Sequence, residues 1–218
     1  MRKITALRAG KGRRKKVNIF LDGEFVFSLD TELVAQENLQ IEQVLSTEQI
    51  ETLKKSDNFK RCFDAAVHYL SYRPRSEPEL RQRLRRRGFN DDSIETVITR
   101  LKKLDLVDDT AFAQFWKENR ESFSPRSQWL TRLELKQKGV SEDIIDQVVD
   151  TIDDEDSAYR AALKKARSLS MTDYQSFRRR LGEHLKRRGF SYRVINTTVN
   201  RLWQDQTGKD FELEIRNV

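Results

Sequence analysis

The sequence predicts a mainly α-helical protein, in which three tandem three-helix repeats form an elongated, curved array behind a small N-terminal β-sheet. Three observations predict this class. Gly88, Gly139 and Gly189 are spaced 51 and 50 residues apart, and two of them lie in the similar segments RLRRRGF and HLKRRGF. Charged residues make up 35% of the chain, with only 8 Gly and 3 Pro, which suits solvent-washed helices better than a β-sandwich. Strand-like alternation is concentrated in the N-terminal segment.

That segment, residues 1–58, is predicted to form a separate small domain. Val17–Leu21 and Phe25–Leu29 alternate apolar and polar residues around Asp22-Gly23, which is a hairpin signal. Ile4–Leu7 supplies a third strand. Two short helices, near 31–37 and 46–55, are expected to lead into the repeats.

The repeats are defined by apolar columns aligned on the three glycines. A period of about fifty residues indicates stacked units, each too small to bury a core alone. The aligned columns are Leu84, Leu135 and Leu185 four residues before glycine, Phe89, Val140 and Phe190 one after, and Ile94, Ile145 and Ile195 six after. The predicted boundaries are 59–105, 106–155 and 156–206, followed by a C-terminal tail, 207–218, that either frays or adds one strand.

Capping signals place the second helix of each repeat. Ser76 with Glu79 forms a capping box, and Gly88 suits the C′ position, where glycine adopts a left-handed backbone at low cost. Ser124-Pro125 is predicted to supply N-cap and N1 in the second repeat. The triplet Pro74-Arg75-Ser76 recurs 51 residues later as Pro125-Arg126-Ser127 and is missing from the third repeat.

Basic residues concentrate on helix two of each repeat. The formal net charge is +7 and the pI about 9.5, so polyanions and acidic protein surfaces are the expected partners. A solvated helix face is the simpler interpretation, but like charges four residues apart are mildly destabilising, which favours a binding role. The predicted binding stripe comprises Arg81, Arg85, Arg86, Arg87, Arg126, Arg132, Lys136, Lys138, Arg178, Arg179, Lys186, Arg187 and Arg188.

A second basic cluster lies between the first two predicted strands. It contains Lys11, Arg13, Arg14, Lys15 and Lys16, and such a glycine-containing basic loop can contact phosphates. It lacks the glycine and Ser/Thr spacing of a nucleotide-binding P-loop. No base-specific contact is predicted from it.

The sequence contains no arrangement typical of an enzyme, so neither a catalytic residue nor a bound metal or cofactor is expected. His68 and His184 have no partner visible in the sequence. Asp108-Asp109 and Asp153–Asp156 could be imagined as a metal site for phosphodiester cleavage, but they lie at helix starts, where carboxylates cap backbone N–H groups.

The aromatic residues and the single cysteine also favour structural roles. Trp116, Trp129 and Trp203 have apolar neighbours at helical spacing, so core positions are expected over base stacking. Cys62 is expected to be a small buried hydrophobe. One cysteine suits a reducing cytoplasm, and the absence of a long apolar run argues against export or membrane insertion.

The motifs of the repeats resemble the RecX regulatory family. The resemblance is carried by Ser76-Glu77-Pro78-Glu79-Leu80 running on through Arg83-Leu84 to Gly88-Phe89, then by Leu104–Asp109, and by Glu134–Val140 in the second repeat. It covers about residues 59 to 205.

This resemblance implies a non-catalytic modulator of the RecA recombinase, which lodges in the groove of a RecA filament on single-stranded DNA. The expected consequence is inhibition of ATP hydrolysis and strand exchange, hence regulation of recombination, DNA repair and the SOS response. A monomer is expected, with single-stranded DNA contacted directly or through RecA, and duplex DNA as a further candidate. The alternative is a DNA-binding protein, sequence-tolerant or helix-turn-helix-like, that acts without RecA.

Overall fold

The structure, a computed structural model, describes residues 1–10, 16–169 and 173–216, with side chains except those of 206 and 208–216. The described part of the chain is mainly α-helical, as predicted. The strands are β1 (Arg2–Ala9), β2 (Lys16–Leu21), β3 (Glu24–Asp30) and β4 (Val44–Leu45). The helices are α1 (Thr31–Gln36), α2 (Thr47–Tyr72), α3 (Glu77–Arg86), α4 (Asp91–Lys102), α5 (Asp109–Phe123), α6 (Gln128–Gln137), α7 (Glu142–Val149), α8 (Asp154–Ala166), α9 (Tyr174–Lys186) and α10 (Tyr192–Arg216).

The N-terminal strands form an antiparallel sheet in the order β3-β2-β1-β4. The predicted hairpin is confirmed: Asp22 and Gly23 have φ of +53° and +88°, the left-handed pair that a two-residue turn requires. The sheet has one strand more than predicted, since β4 spans only two residues and is too short to show alternation. Ile4, Ile19 and Leu21 fill its core.

The prediction of a short helix near 46–55 was wrong, because α2 continues from Thr47 to Tyr72. Its start is fixed by a reciprocal capping box between Ser46 and Gln49. No Gly or Pro interrupts the sequence from 47 to 72, so nothing ends the helix at the expected place. The same helix therefore supports the sheet and supplies the first helix of repeat one.

Three three-helix repeats follow, as predicted: the end of α2 with α3 and α4, then α5 to α7, then α8 to α10. Gly88, Gly139 and Gly189 follow the second helix of each repeat with φ of +91°, +78° and +83°. The C′ assignment from the sequence is thus confirmed. A buried leucine precedes each glycine, and in repeats two and three it shares a core with buried isoleucine or valine residues of helix three.

Two predicted helix boundaries differ from the structure. Helix α6 is capped by Ser127, whose Oγ accepts from Leu130 N, whereas Ser124 ends α5. Pro125 therefore lies in the connection and not at N1. The C-terminal tail does not form the additional strand considered from the sequence, because α10 runs to Arg216.

The chain divides into two compact units, one of Met1–Arg73 with Leu80–Leu106, the other of Pro74–Glu79 with Val107–Val218. The first contains the sheet and most of repeat one. The second contains repeats two and three, together with the segment that begins α3.

Within the second unit, paired aspartates join consecutive repeats. Asp153 caps its own helix α8 through Glu155 N and Asp156 N, while Asp154 accepts from Gln128 N at the start of α6, at 2.7 Å. The predicted capping role is confirmed, and it extends to a helix of the preceding repeat. Asp108 and Asp109 repeat the arrangement, with Asp109 accepting from Glu77 N at 2.7 Å.

The recurring Pro-Arg-Ser triplets lie at the same contacts. Ser76 Oγ donates to the carbonyl oxygen of Lys138 at 2.6 Å, and Ser127 N donates to that of Arg188 at 3.0 Å. Each serine thus caps its own helix and also binds the turn before the next repeat's glycine. The triplet occurs in the two repeats whose second helix begins against a following repeat.

Candidate functional site

The basic residues predicted to form one stripe have different surroundings in the three repeats. In repeat one, Arg81 pairs with Glu95 at 2.8 Å and Arg85 with Asp91 at 2.7 Å, so α4 supplies acids to the cations of α3. Arg86 is exposed. Arg87 is exposed as well, and its guanidinium lies 5.8 Å from the ring centre of Tyr69.

In repeat two, all four predicted residues have intramolecular partners. Arg132 pairs with Asp146 on α7 and, at 3.2 Å, with Asp150, the residue that follows α7. Arg126 pairs with Glu134, and Lys136 pairs with Glu142 at 3.2 Å. Lys138 lies 3.9 Å from Glu79 and 5.1 Å from the ring centre of Trp116. Ion pairs of this kind neutralise much of the positive potential, so the stripe is interrupted here.

In repeat three the cations are less compensated. Arg179, Lys186 and Arg187 are exposed and form no ion pair with a described residue. Arg178 donates to neutral groups, Tyr192 OH and Asn196 Oδ1. Excess positive charge within the second unit is therefore concentrated on α9.

The difference in ion pairing between the repeats originates in helix three. Counting from each glycine, the third and seventh following residues face helix two across the repeat. They are acidic in the first two repeats and neutral in the last: Asp91 and Glu95, Glu142 and Asp146, Tyr192 and Asn196. Because Glu95 and Asp146 are each 14 residues from their arginine in sequence, helix two examined alone does not reveal the pairing.

Arg188 has a different position from its neighbours. It is half-buried, and its Nη1 lies 3.3 Å from Nδ1 of His184. Burial, followed by the charge of Arg187, lowers its pKa. It lines a cavity of about 600 Å³ together with residues of α8 that sequence reasoning missed, Arg160, Lys164 and Lys165. Asp156, Arg160 and Lys164 are spaced four residues apart along α8, and this spacing was the sequence signal that they share one helix face.

Four residues of the predicted N-terminal basic loop lie outside the described residues: Lys11, Arg13, Arg14 and Lys15. Lys16 is the first residue of β2, and its Nζ lies 3.9 Å from the buried carboxylate of Asp57. That lysine is thus directed to the protein interior.

The tryptophans divide into two groups. Trp116 and Trp203 pack against the cores of repeats two and three, as expected. The expectation for Trp129 was wrong, since it is 63% exposed on α6, one turn before the partly exposed Leu133. The residues in the same repeat column, Pro78 and Arg179, were the sign that this position faces outward.

Cys62 and His68 carry no reactive arrangement. Cys62 is fully buried, and burial raises the pKa of its thiol to about 11, so it is a thiol at neutral pH. His68 is exposed beside Tyr72. Across the described ranges, no group of three His, Cys, Asp or Glu side chains could hold a metal ion.

His184 should make the second unit sensitive to acid. Its Nε2 donates to Ala161 O at 3.1 Å, and its Nδ1 accepts from Arg188; burial, and then the Arg188 charge, lower its pKa below the usual 6.5. Since protonation is easier in the unfolded chain, its stabilising contribution is complete above pH 6.5 and is lost as pH falls towards the folded pKa. Between pH 7.5 and pH 5.5, the free energy of unfolding measured in urea should fall less for His184→Gln than for the parent protein. His68→Gln is the control and should retain the parental loss; an unchanged loss in His184→Gln would contradict the assignment.

No helix in the described part of the chain is long and apolar enough to span a membrane.

Comparison with known families gives four consecutive matches. Residues 2–46 match the regulatory protein RecX N-terminal domain, and residues 62–101, 108–149 and 153–199 match the first, second and third RecX three-helix domains. A regulatory protein RecX of Clostridium perfringens is 30% identical over 211 residues, which are 94% of this chain and 99% of the relative.

The chain belongs to the RecX family. A relative from Bacillus licheniformis, also called regulatory protein RecX, is 30% identical over 90% of this chain and 76% of its own length. The crystal structure of a regulatory protein RecX has the same fold, with TM-score 0.63 and 24% identity over 92% of this chain and 100% of that one. RecX from Lactobacillus salivarius matches with TM-score 0.57 and 27% identity over 67% of this chain and 97% of its own. The family resemblance and the predicted class, mainly helical with three three-helix repeats behind a small N-terminal sheet, are both confirmed.

Proposed function

We propose that this RecX-family protein is a non-catalytic, cytoplasmic and monomeric regulator that binds RecA filaments on single-stranded DNA and inhibits their ATP hydrolysis and strand exchange. The observation that carries the proposal is family membership over nearly the whole chain, all four RecX domains being present in order. Relatives named as regulatory proteins support a role without chemistry.

The exposed cations of repeat three and the exposed Trp129 are suited to binding another macromolecule. Uncompensated cations on α9 attract an acidic surface or phosphates. The exposed Trp129 is the type of side chain that contributes most to binding when a partner covers it. The basic stripe proposed as the contact surface is thereby narrowed to Arg86 and Arg87 in repeat one and to Arg178, Arg179, Lys186 and Arg187 in repeat three.

The alternative, a helix-turn-helix reader of duplex DNA, has less support. Such readers insert the start of helix three into the major groove, beside phosphates. In repeats one and two that helix begins with acidic residues, Asp91 and Asp92 or Glu142 and Asp143, which would be repelled. Only α10 lacks them.

The proposed function predicts suppression of ATP hydrolysis by the cognate RecA. Purified protein, added at up to equal molar ratio to RecA on single-stranded DNA, should lower the hydrolysis rate progressively. Lys186→Glu/Arg187→Glu should weaken this inhibition, because it reverses exposed cations. Lys55→Glu/Lys103→Glu makes the same change in net charge on exposed residues of the first unit and is the control. Absence of inhibition by the parent protein at every salt concentration would refute the function, and equal effects of both variants would refute the surface.

A further inference from the structure

A groove of about 520 Å³ lies between α9 and the first turns of α10 in repeat three. Its floor is apolar, with Phe190 and Ile195, and α9 contributes Arg178, Arg179 and Lys186 to one side. The acidic residue in the lining is Glu183. The groove thus combines an apolar base with a predominantly cationic wall.

The same place in the other two repeats is closed by ion pairs. Seven residues before the glycine, repeats one and two have Arg81 and Arg132, which pair with Glu95 and Asp146 of helix three. Repeat three has Gly182 at that position and Asn196 opposite it. Loss of the long side chain opens the groove, and loss of the acid leaves the neighbouring cations uncompensated.

An aromatic ring is held at the edge of the groove. Tyr192 is 72% exposed, yet its hydroxyl accepts from Nη2 of Arg178 at 3.1 Å, and Arg178 also reaches Asn196 Oδ1 at 3.4 Å. Hydrogen bonding to Asn196, followed by the Arg178 charge, lowers the pKa of this tyrosine. The ring face is therefore positioned in solvent by contacts at its hydroxyl, and in repeats one and two an acid occupies the same position.

We propose that this groove binds single-stranded nucleic acid, with one base stacked on Tyr192 over the apolar floor and phosphates bound by Arg178, Arg179 and Lys186. Arg178 and Lys186 are eight residues apart on α9, about 12 Å at the helical rise, so the wall can follow a backbone across more than one phosphate. Stacking requires an unpaired base, which favours a single strand over a duplex. An acidic peptide would match the charge, but its acidic side chains offer no aromatic surface that could stack on the ring.

The inference adds a DNA contact to the proposed function and rests on it only for the presence of DNA at the place of action. It is tested without RecA, by fluorescence anisotropy of a labelled oligothymidylate at several salt concentrations. The parent protein should bind with a salt-dependent affinity. Failure to bind at low salt would overturn the groove proposal and would leave RecA inhibition untouched.

The decisive variant copies the chain's own closed repeats. Gly182→Arg/Asn196→Asp should rebuild the pair seen between Arg132 and Asp146 without changing net charge, and it should weaken oligonucleotide binding about ten-fold or more, as expected when stacking and phosphate contacts are lost together. Unchanged affinity in a folded variant would overturn the proposal.

Two milder substitutions keep the test valid if the double variant fails to fold. Tyr192→Ala should weaken binding about five-fold or more through lost stacking. Arg178→Gln should reduce the slope of log affinity against log salt by about 0.7, the value for one phosphate of a single strand. Arg193→Gln, which removes a cation paired with Glu155 outside the groove lining, is the matched control and should preserve both affinity and slope.

The same variants separate the two classes of ligand. Displacement of the oligonucleotide by polyglutamate at equal charge concentration, with Tyr192→Ala binding like the parent protein, would assign the groove to an acidic peptide and overturn the proposal. Stronger binding to single strands than to a duplex of the same length, lost in Tyr192→Ala, would support it.

Discussion

Replacement of Glu134 by Gln should lower the free energy of unfolding of the second unit by about 3 kcal/mol. The Glu134 carboxylate is 11% exposed and accepts from Trp116 Nε1 and Arg120 Nε, both at 2.8 Å, and from Arg126. Burial already lowers the pKa of both arginines. Removing the one negative charge would leave two partly buried cations in contact with a neutral amide, which is the costly way to break a buried pair.

The same substitution at Glu142 provides the control. Glu142 is about half exposed and pairs with Lys136 on the surface of repeat two, so Glu142→Gln should cost less than about 1 kcal/mol. Urea unfolding monitored by tryptophan fluorescence suits both variants, since Trp116 lies within the buried cluster. Equal losses would mean that the cluster stabilises no more than a surface pair does.

Gly189→Ala should destabilise the second unit by about 3 kcal/mol, the sum of a left-handed backbone penalty and steric overlap. Its φ is +83°, and an added Cβ would lie 2.6 Å from Ser127 Oγ and 2.8 Å from Leu130 Cβ. These atoms belong to the start of α6, so the substitution separates the contact between repeats two and three as well as straining the turn.

Gly88 isolates the backbone contribution. Its φ is +91°, but a Cβ there would meet no atom within 4 Å, so Gly88→Ala should cost only about 1 kcal/mol. Gly139, where a Cβ would lie 2.7 Å from the ring of Pro78, should resemble Gly189. Thermal unfolding of the three alanine variants gives the ranking; a Gly88→Ala loss as large as that of Gly189→Ala would contradict the role of close packing.

Features that depend on local backbone chemistry were predictable from the sequence. The helix ends at the three glycines were predictable because the signal is local: a glycine that can adopt a left-handed backbone directly follows a helix with a clear apolar face. The Asp22-Gly23 turn and the Asp153 cap are local in the same sense. The missed start of α6 was also recoverable, because Ser127 occupies the repeat column of Ser76, which had been assigned correctly.

Features that depend on contacts distant in sequence were not predictable in this way. A helical wheel identifies Arg132 as outward-facing, but it does not show that Asp146 lies opposite. The apolar neighbours of Trp129 at helical spacing predicted a core position, whereas the other two repeats have Pro78 and Arg179 in the same column. The groove of repeat three required both kinds of information, since Gly182 is informative only when compared with the arginines and with the acids that face them.

The cap that Asp154 provides to Gln128 makes the folding of α6 depend on the order in which the chain is synthesised. The two residues are separated by 26 positions, so at ordinary rates of translation α6 leaves the ribosome about one to five seconds before the carboxylate that completes its first turn. Until then the nascent second repeat has an unsatisfied amide at the site where the third will dock. Completion of the second repeat thus awaits synthesis of the third, and a pause by the ribosome between the emergence of α6 and that of Asp154 would prolong exposure of the unfinished end.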